Sequence, residues 1–139
     1  MNIRPVLLVL GLFSGLVAMS ANGDGGNVAI AQAWYAALQN ADVSRLDAML
    51  APDAEIVLED IGFTQDRAEF LASMPEWRDA IADGGIAWRM DAEAADGFAA
   101  IACYRFTGNS VLAREVFSMR AGLIARSVQR KIADDCDGF

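Results

Sequence analysis

Two carboxylates stand where this chain could do acid–base chemistry. Glu115 lies in the run Val111-Leu112-Ala113-Arg114-Glu115-Val116-Phe117-Ser118-Met119, which alternates as a strand does. One face of that strand carries Glu115 beside Val111, Ala113, Phe117 and Met119. A carboxyl among apolar side chains needs a raised pKa or a close partner, because its ionised form loses water there. Asp60 ends a second strand-like run, Ala54 to Asp60, on the face of Ile56 and Leu58; Glu59 points the other way. A carboxyl on such a face suits general acid–base work where a substrate can reach it. Plainer roles stay open: Asp60 can cap the turn at Ile61-Gly62, and Glu115 can pair with Arg89 or Arg105.

Other chemistries are narrowed by composition. The chain has no histidine, which excludes a Ser-His-Asp triad, a Cys-His pair and imidazole metal ligands. No glycine-rich phosphate loop or clustered metal-ligand set is visible, so no metal or cofactor is expected. Arg89-Met90-Asp91 has an Arg-x-Asp spacing and reads as a local surface pair. The two cysteines, Cys103 and Cys136, are an even count in a chain with an export-like N-terminus, which points to a disulfide. A buried free thiol plus a tail thiol is the alternative.

The elements that must position these residues follow from periodicity. A helix is expected over Val28 to Asn40, with Ile30, Trp34, Ala37, Leu38 and Ala41 as its buried stripe. Asp42 can cap a second helix, Val43 to Leu50, and Pro52-Asp53 turns into the strand that ends at Asp60. Thr64 reads as the cap of a third helix, and Pro75 starts a fourth. Strands near Ile86 to Glu93, Phe98 to Phe106, Val111 to Met119 and Leu123 to Ile132 are separated by turns that each hold a glycine. The order α-α-β-α-α-β-β-β-β implies an α+β domain with helices on one face of a curved sheet.

The N-terminus is a separate matter. Arg4 precedes an apolar stretch, Val6 to Ala18, too short to span a bilayer, which needs about 20 apolar residues. Ala18-Met19-Ser20 fits a small-x-small cleavage site, so residues 1–20 read as a signal peptide and 21–27 as a flexible leader. Cleavage after Ala21 or Gly23, or an uncleaved anchor, are the alternatives. The domain then spans 28–133 with a tail of 134–139, and a periplasmic or secreted location is expected, with no stable membrane anchor after cleavage. The net charge of −8 repels phosphate backbones, so no nucleic acid partner is expected.

The run Trp34 to Gly62 and the hairpin Leu112 to Arg126 resemble the nuclear-transport-factor-2-like superfamily, which includes ketosteroid isomerases and SnoaL-like polyketide cyclases. The resemblance implies a cone: a curved antiparallel sheet with the N-terminal helices packed on its concave face. Ketosteroid isomerases use an aspartate base with a tyrosine and a protonated aspartate as oxyanion hole. Aligned on Ala36-Ala37-Leu38, Trp34 takes the tyrosine position and Tyr35 lies about 100° around the helix. Leu58 falls at the base position; Asp60 takes it if the strand is two residues longer, on the same face. Glu115 takes the protonated acid's position if the following hairpin is one residue shorter. By the same resemblance the pocket would involve Trp34, Tyr35, Leu58, Trp77, Trp88, Tyr104, Phe106 and Phe117, with ordinary core packing as the alternative for the aromatics. Scytalone-dehydratase-like chemistry needs histidines, which are absent. The Arg–Asp pair of limonene-epoxide hydrolases falls on Tyr104 and Phe106. The functions implied are a binder of a small apolar ligand, an isomerase- or cyclase-type enzyme using Glu115 and Asp60, or a homodimeric interaction module.

Overall fold

A helix and a hairpin meander close around one another in this chain, whose computed structural model describes residues 24–139. The expected signal peptide lies outside the described residues. Helix α1 spans Asp24–Gln39 and starts before the expected Val28, so residues 24–27 form its first turn instead of a leader. Ala31, Trp34, Tyr35 and Leu38 are buried at i, i+3, i+4 and i+7, the stripe an amphipathic helix lays on a core. After the helix the chain turns at Ala41, a left-handed residue at φ 47°. The Asn40 amide donates to the Ala36 carbonyl there (2.9 Å), satisfying a terminal acceptor.

Asp42 then caps α2 (Val43–Met49), its carboxylate accepting from the Arg45 N–H at 3.1 Å. Strand β1 (Leu50–Leu58) leads to a 3₁₀ turn, Glu59–Ile61, and to a short strand β2 (Phe63–Asp66) that sequence periodicity does not reveal. The cap of α3 (Arg67–Ala72) is Asp66, not Thr64. Pairing with β1 holds residues 63–66 extended, and Asp66 and Glu69 form a reciprocal capping box. Helix α4 (Met74–Ile81) carries Pro75 in its first turn, as expected.

The last four strands are β3 (Gly85–Ala94), β4 (Gly97–Phe106), β5 (Asn109–Arg120) and β6 (Leu123–Ala133), each within a few residues of its expected span. The sheet runs β2-β1-β6-β5-β4-β3. Its pairings are antiparallel except β1 with β6, which is parallel. Register shifts in the β1/β6, β3/β4 and β5/β6 ladders mark bulges that bend the strands and curve the sheet. Sheet edges β2 and β3 do not pair, so the cone stays open. Ala121 and Gly122 both have positive φ in the β5–β6 turn, the geometry that matches strand twist in a two-residue hairpin.

Both sheet faces are used. The concave face packs Phe98, Ala100, Ala102, Tyr104, Ala113 and Phe117 against α1. The outer face buries Ile101, Cys103 and Leu112 under the C-terminal segment. Cys103 and Cys136 are bridged, with Cα atoms 5.8 Å apart, so the tail is tied to β4. Asp91 pairs with Arg114 at 2.7 Å across the sheet, while Arg89 sits over the Phe139 ring; the expected Arg89–Asp91 pair does not form.

Gly84, between α4 and β3, passes close to the backbone of β4. A Cβ built there would lie 1.6 Å from the Arg105 carbonyl oxygen, a backbone atom that cannot swing aside. Gly84→Ala is expected to cost about 1–3 kcal/mol as β3 is pushed off β4. Gly85→Ala, whose Cβ would only touch the Gln39 side chain at 3.6 Å, serves as control. Urea unfolding of both variants measures this; equal stabilities would show that the close approach carries no cost.

Candidate functional site

The interior of the cone holds a partly open cavity of about 430 Å³. Its floor is built by Trp34 from α1, Phe70 from α3, Tyr104 from β4, Glu115 from β5 and Ser127 from β6, all buried. Its rim carries Phe63, Glu76 and Ala80, which are exposed. Behind this floor the sheet is packed with small residues: Ala100 lies opposite Glu115, and Ala102 opposite Ala113. The wall from α4 is pinned by Trp77, whose indole N–H donates to the Leu38 carbonyl at 2.7 Å. Trp77 in turn meets Tyr104 and Phe106 edge to face, at 5.8 and 5.9 Å between ring centroids.

Glu115 is 2% exposed and has no basic partner among the described residues. Its carboxylate accepts a hydrogen bond from the Tyr104 hydroxyl. Burial pushes the Glu115 pKa up to about 7, against the opposing pull of the Tyr104 and Tyr35 hydroxyls. The tyrosines respond in kind: burial first, then the Glu115 charge, raises both well above the ordinary phenol value. The Tyr35 hydroxyl makes no hydrogen bond within the usual geometric limits, although it faces Glu115 closely enough to feel its charge. The Trp34 indole N–H is likewise buried and unpartnered. The result is a carboxyl that changes charge near neutrality, flanked by phenols that stay protonated. It can donate a hydrogen bond when neutral, accept one when ionised, or pass a proton.

Asp60 is not part of this arrangement. Both ladders of β1 end at Leu58, and the chain turns into the 3₁₀ segment before Asp60 can continue the inward face. The exposed Asp60 carboxylate instead accepts from the Lys131 backbone N–H, tying the turn to β6. This is close to the plainer role open in the sequence, although the atom capped belongs to a neighbouring strand. Glu115, too, differs from its plainer reading, since its partner is a tyrosine and not Arg89 or Arg105.

Of the other expected pocket residues, Trp34, Leu58, Trp77, Tyr104 and Phe106 line the cavity. Tyr35, Trp88 and Phe117 do not: Tyr35 stacks on Trp88 at 5.6 Å, and Phe117 packs on Phe98 at 4.7 Å and edge-on to Trp34. They back the wall instead of facing the space. Sequence reasoning passed over Phe63 and Gln65 on β2, Met74 on α4, and Ser127 and Gln129 on β6. The alternation of Ser127 and Gln129 with outward Arg126 and Arg130 was the available signal for the β6 pair; β2 left none.

Comparisons with known proteins agree with this fold. A protein described as a candidate ketosteroid isomerase from Kribbella flavida DSM 17836 superposes with a TM-score of 0.69 at 16% identity, over 78% of this chain and 79% of that one. A protein with a ketosteroid isomerase-like fold from Catenulispora acidiphila DSM 44928, solved in complex with trimethylamine, gives 0.61 at 20% identity, over 73% and 83%. IdmH, a candidate polyketide cyclase from Streptomyces antibioticus, gives 0.61 at 17%, over 76% and 91%. At these identities the likeness is one of fold. No curated protein sequence matches significantly. The SnoaL-like domain family matches residues 31–134, which hold both the cone and Glu115, and the chain belongs to that family.

Proposed function

We propose that this SnoaL-like domain binds a small, largely apolar molecule in the cone, with Glu115 as its polar anchor. The observation that carries the reading is the cavity itself: about 430 Å³, mostly apolar walls, and one buried titratable carboxyl on its floor. That is the composition of small-molecule sites, where apolar surface supplies affinity and a few polar groups fix orientation. The Catenulispora neighbour, solved with a small organic molecule, is in keeping with it.

The Glu115–Tyr104 contact favours a second reading, a proton-transfer enzyme of the isomerase or cyclase type. A carboxyl with a pKa of about 7 is suited to general acid–base work. With Asp60 outside the cavity, Glu115 would act alone, with Trp34 and Tyr104 as the neighbouring donors. We further infer export. The support is the apolar N-terminal stretch and the Cys103–Cys136 bridge, which persists in an oxidising compartment.

Neopentylbenzene, a neutral apolar probe, tests the binding reading. At 100 times its Kd a ligand adds about 2.7 kcal/mol to stability, so a clear rise in Tm is expected. Ala80→Trp, placed at the exposed rim, should remove most of that rise while leaving the ligand-free Tm within a few degrees. No rise in the unsubstituted protein with either neopentylbenzene or its cationic isostere benzyltrimethylammonium would overturn the binding reading.

A further inference from the structure

The cavity wall has a bias that a site for neutral molecules does not require. Six aromatic side chains contribute to it: Trp34, Phe63, Phe70, Trp77, Tyr104 and Phe106. They are not arranged as one flat stack. Trp34 lies nearly parallel to Phe70, at 14°, while Trp77 stands at 83° to Tyr104 and 89° to Phe106. Rings therefore surround the space in more than one orientation.

The charged residues of the wall have one sign. Glu115 on the floor and Glu76 at the rim are acidic, and no described lining residue is basic. Glu115 has spare capacity: a carboxylate offers about four lone-pair directions, and Tyr104 uses one of them. The whole chain adds a net charge of −8, which favours the approach of cations and repels anions. An organic anion would meet two carboxylates and no counter-charge. A neutral hydrocarbon would leave the carboxyl without a matching group. A cation fits all of it, because ring faces carry negative potential and attract a cation most strongly away from water.

We propose that the ligand class of this cavity is an organic amine or quaternary ammonium cation carried on an apolar body, with the cationic head against Glu115 and the aromatic wall. The inference rests on the binding reading above and narrows it. The cation supplies the basic partner that buried Glu115 lacks among the described side chains. An apolar body of modest size fills the space toward Leu58, Met74 and Val111.

The test compares benzyltrimethylammonium with its neutral isostere neopentylbenzene, and with 3-phenylpropionate as the anion, by isothermal titration calorimetry on the unmodified protein. The two isosteres match in shape, so their ratio reports charge. The cation is expected to bind at least about tenfold tighter than the hydrocarbon, the gain of a desolvated cation–π contact with an ion pair, and the anion not to bind. Glu115→Gln keeps the side-chain shape. It should weaken the cation by about tenfold or more, leave the hydrocarbon within a factor of about two, and so erase the preference. Quaternary ammonium does not titrate, so its affinity should rise by about tenfold or more between pH 5.5 and 8.5 as Glu115 ionises. The other titratable groups around it are Tyr35 from α1, Tyr104 from β4 and Glu76 at the α4 rim; β6 presents uncharged Ser127 and Gln129. The hydrocarbon should show no such rise. If neopentylbenzene binds as tightly as the cation, the amine inference is overturned and the binding reading stands. If neither binds, the binding reading fails and the inference falls with it.

Discussion

Glu115→Gln is expected to remove a stability loss of about 3 kcal/mol that the unsubstituted protein undergoes between pH 4.5 and 8. The Glu115 carboxyl has an ordinary value of 4.5 and is pushed up to about 7 by burial in the fold. Below pH 4.5 it is protonated in both folded and unfolded chains, and its favourable folded form is fully present. As pH rises through 4.5 the unfolded chain releases the proton while the folded one retains it, so unfolding gains. The loss is complete once pH passes 7 and the folded carboxyl also ionises. Stability therefore falls with rising pH across this window, the reverse of what a salt-bridged carboxylate produces. The 19 acidic residues of the chain obscure this in the absolute curve, so the quantity to measure is the difference between parent and Glu115→Gln in urea unfolding at pH 4.5, 6 and 8. The side-chain amide of the variant can still accept from Tyr104, so Glu115→Gln should be near neutral at pH 4.5 and the more stable protein at pH 8. A flat difference would show that Glu115 titrates as an exposed carboxyl does.

Removing the Cys103–Cys136 bridge is the second large effect. The bridge closes a segment with a sequence separation of 33, and loop-closure entropy for that length corresponds to about 3–4 kcal/mol. Cys136→Ser should lower stability by about that amount. It should also free the tail from the outer-face cluster of Ile101, Cys103 and Leu112. Near-equal unfolding curves with and without reductant would show that the bridge contributes little. Because the bridge lies on the convex side and the cavity on the concave side, a ligand-induced Tm shift should persist in the variant at a lower baseline.

These two expectations rest on residues that the sequence exposed to different degrees. Glu115 was legible because strand alternation is local: its apolar neighbours at i±2 and i±4 placed it inward whatever it faced. The cysteines were legible as a candidate pair by count, but only the fold brings their Cα atoms to 5.8 Å. Asp60 shows where local reasoning stops. The alternation Ile56, Leu58, Asp60 is sound, yet β1 ends at Leu58 because its partners on both sides end there. The Thr64 cap failed for a similar reason, since pairing with β1 keeps Thr64 in a strand and leaves the capping box to Asp66 and Glu69.

The aromatics divide along the same line. The family resemblance implied Trp34, Tyr35, Trp88, Tyr104, Phe106 and Phe117 for the pocket, and the structure buries or half-buries all of them. Periodicity does not tell a residue that faces the cavity from one packed behind it. Trp34 lines the space because Phe70 and Phe117 support its ring at 5.7 and 5.8 Å, whereas Tyr35, one step around the helix, stacks on Trp88. Near neighbours along the chain set which side of a helix or strand a residue occupies, so the main helices, the last four strands and the inward carboxyl belonged to the sequence itself, whereas β2 and the extended path through Pro52-Asp53 did not. Distances between side chains from different elements depend on register, bulges and the packing of α1 into the cone. Tertiary structure alone therefore decided that Tyr104 is the partner of Glu115, that Asp60 lies outside, and that the cavity is walled by aromatic rings and acidic groups.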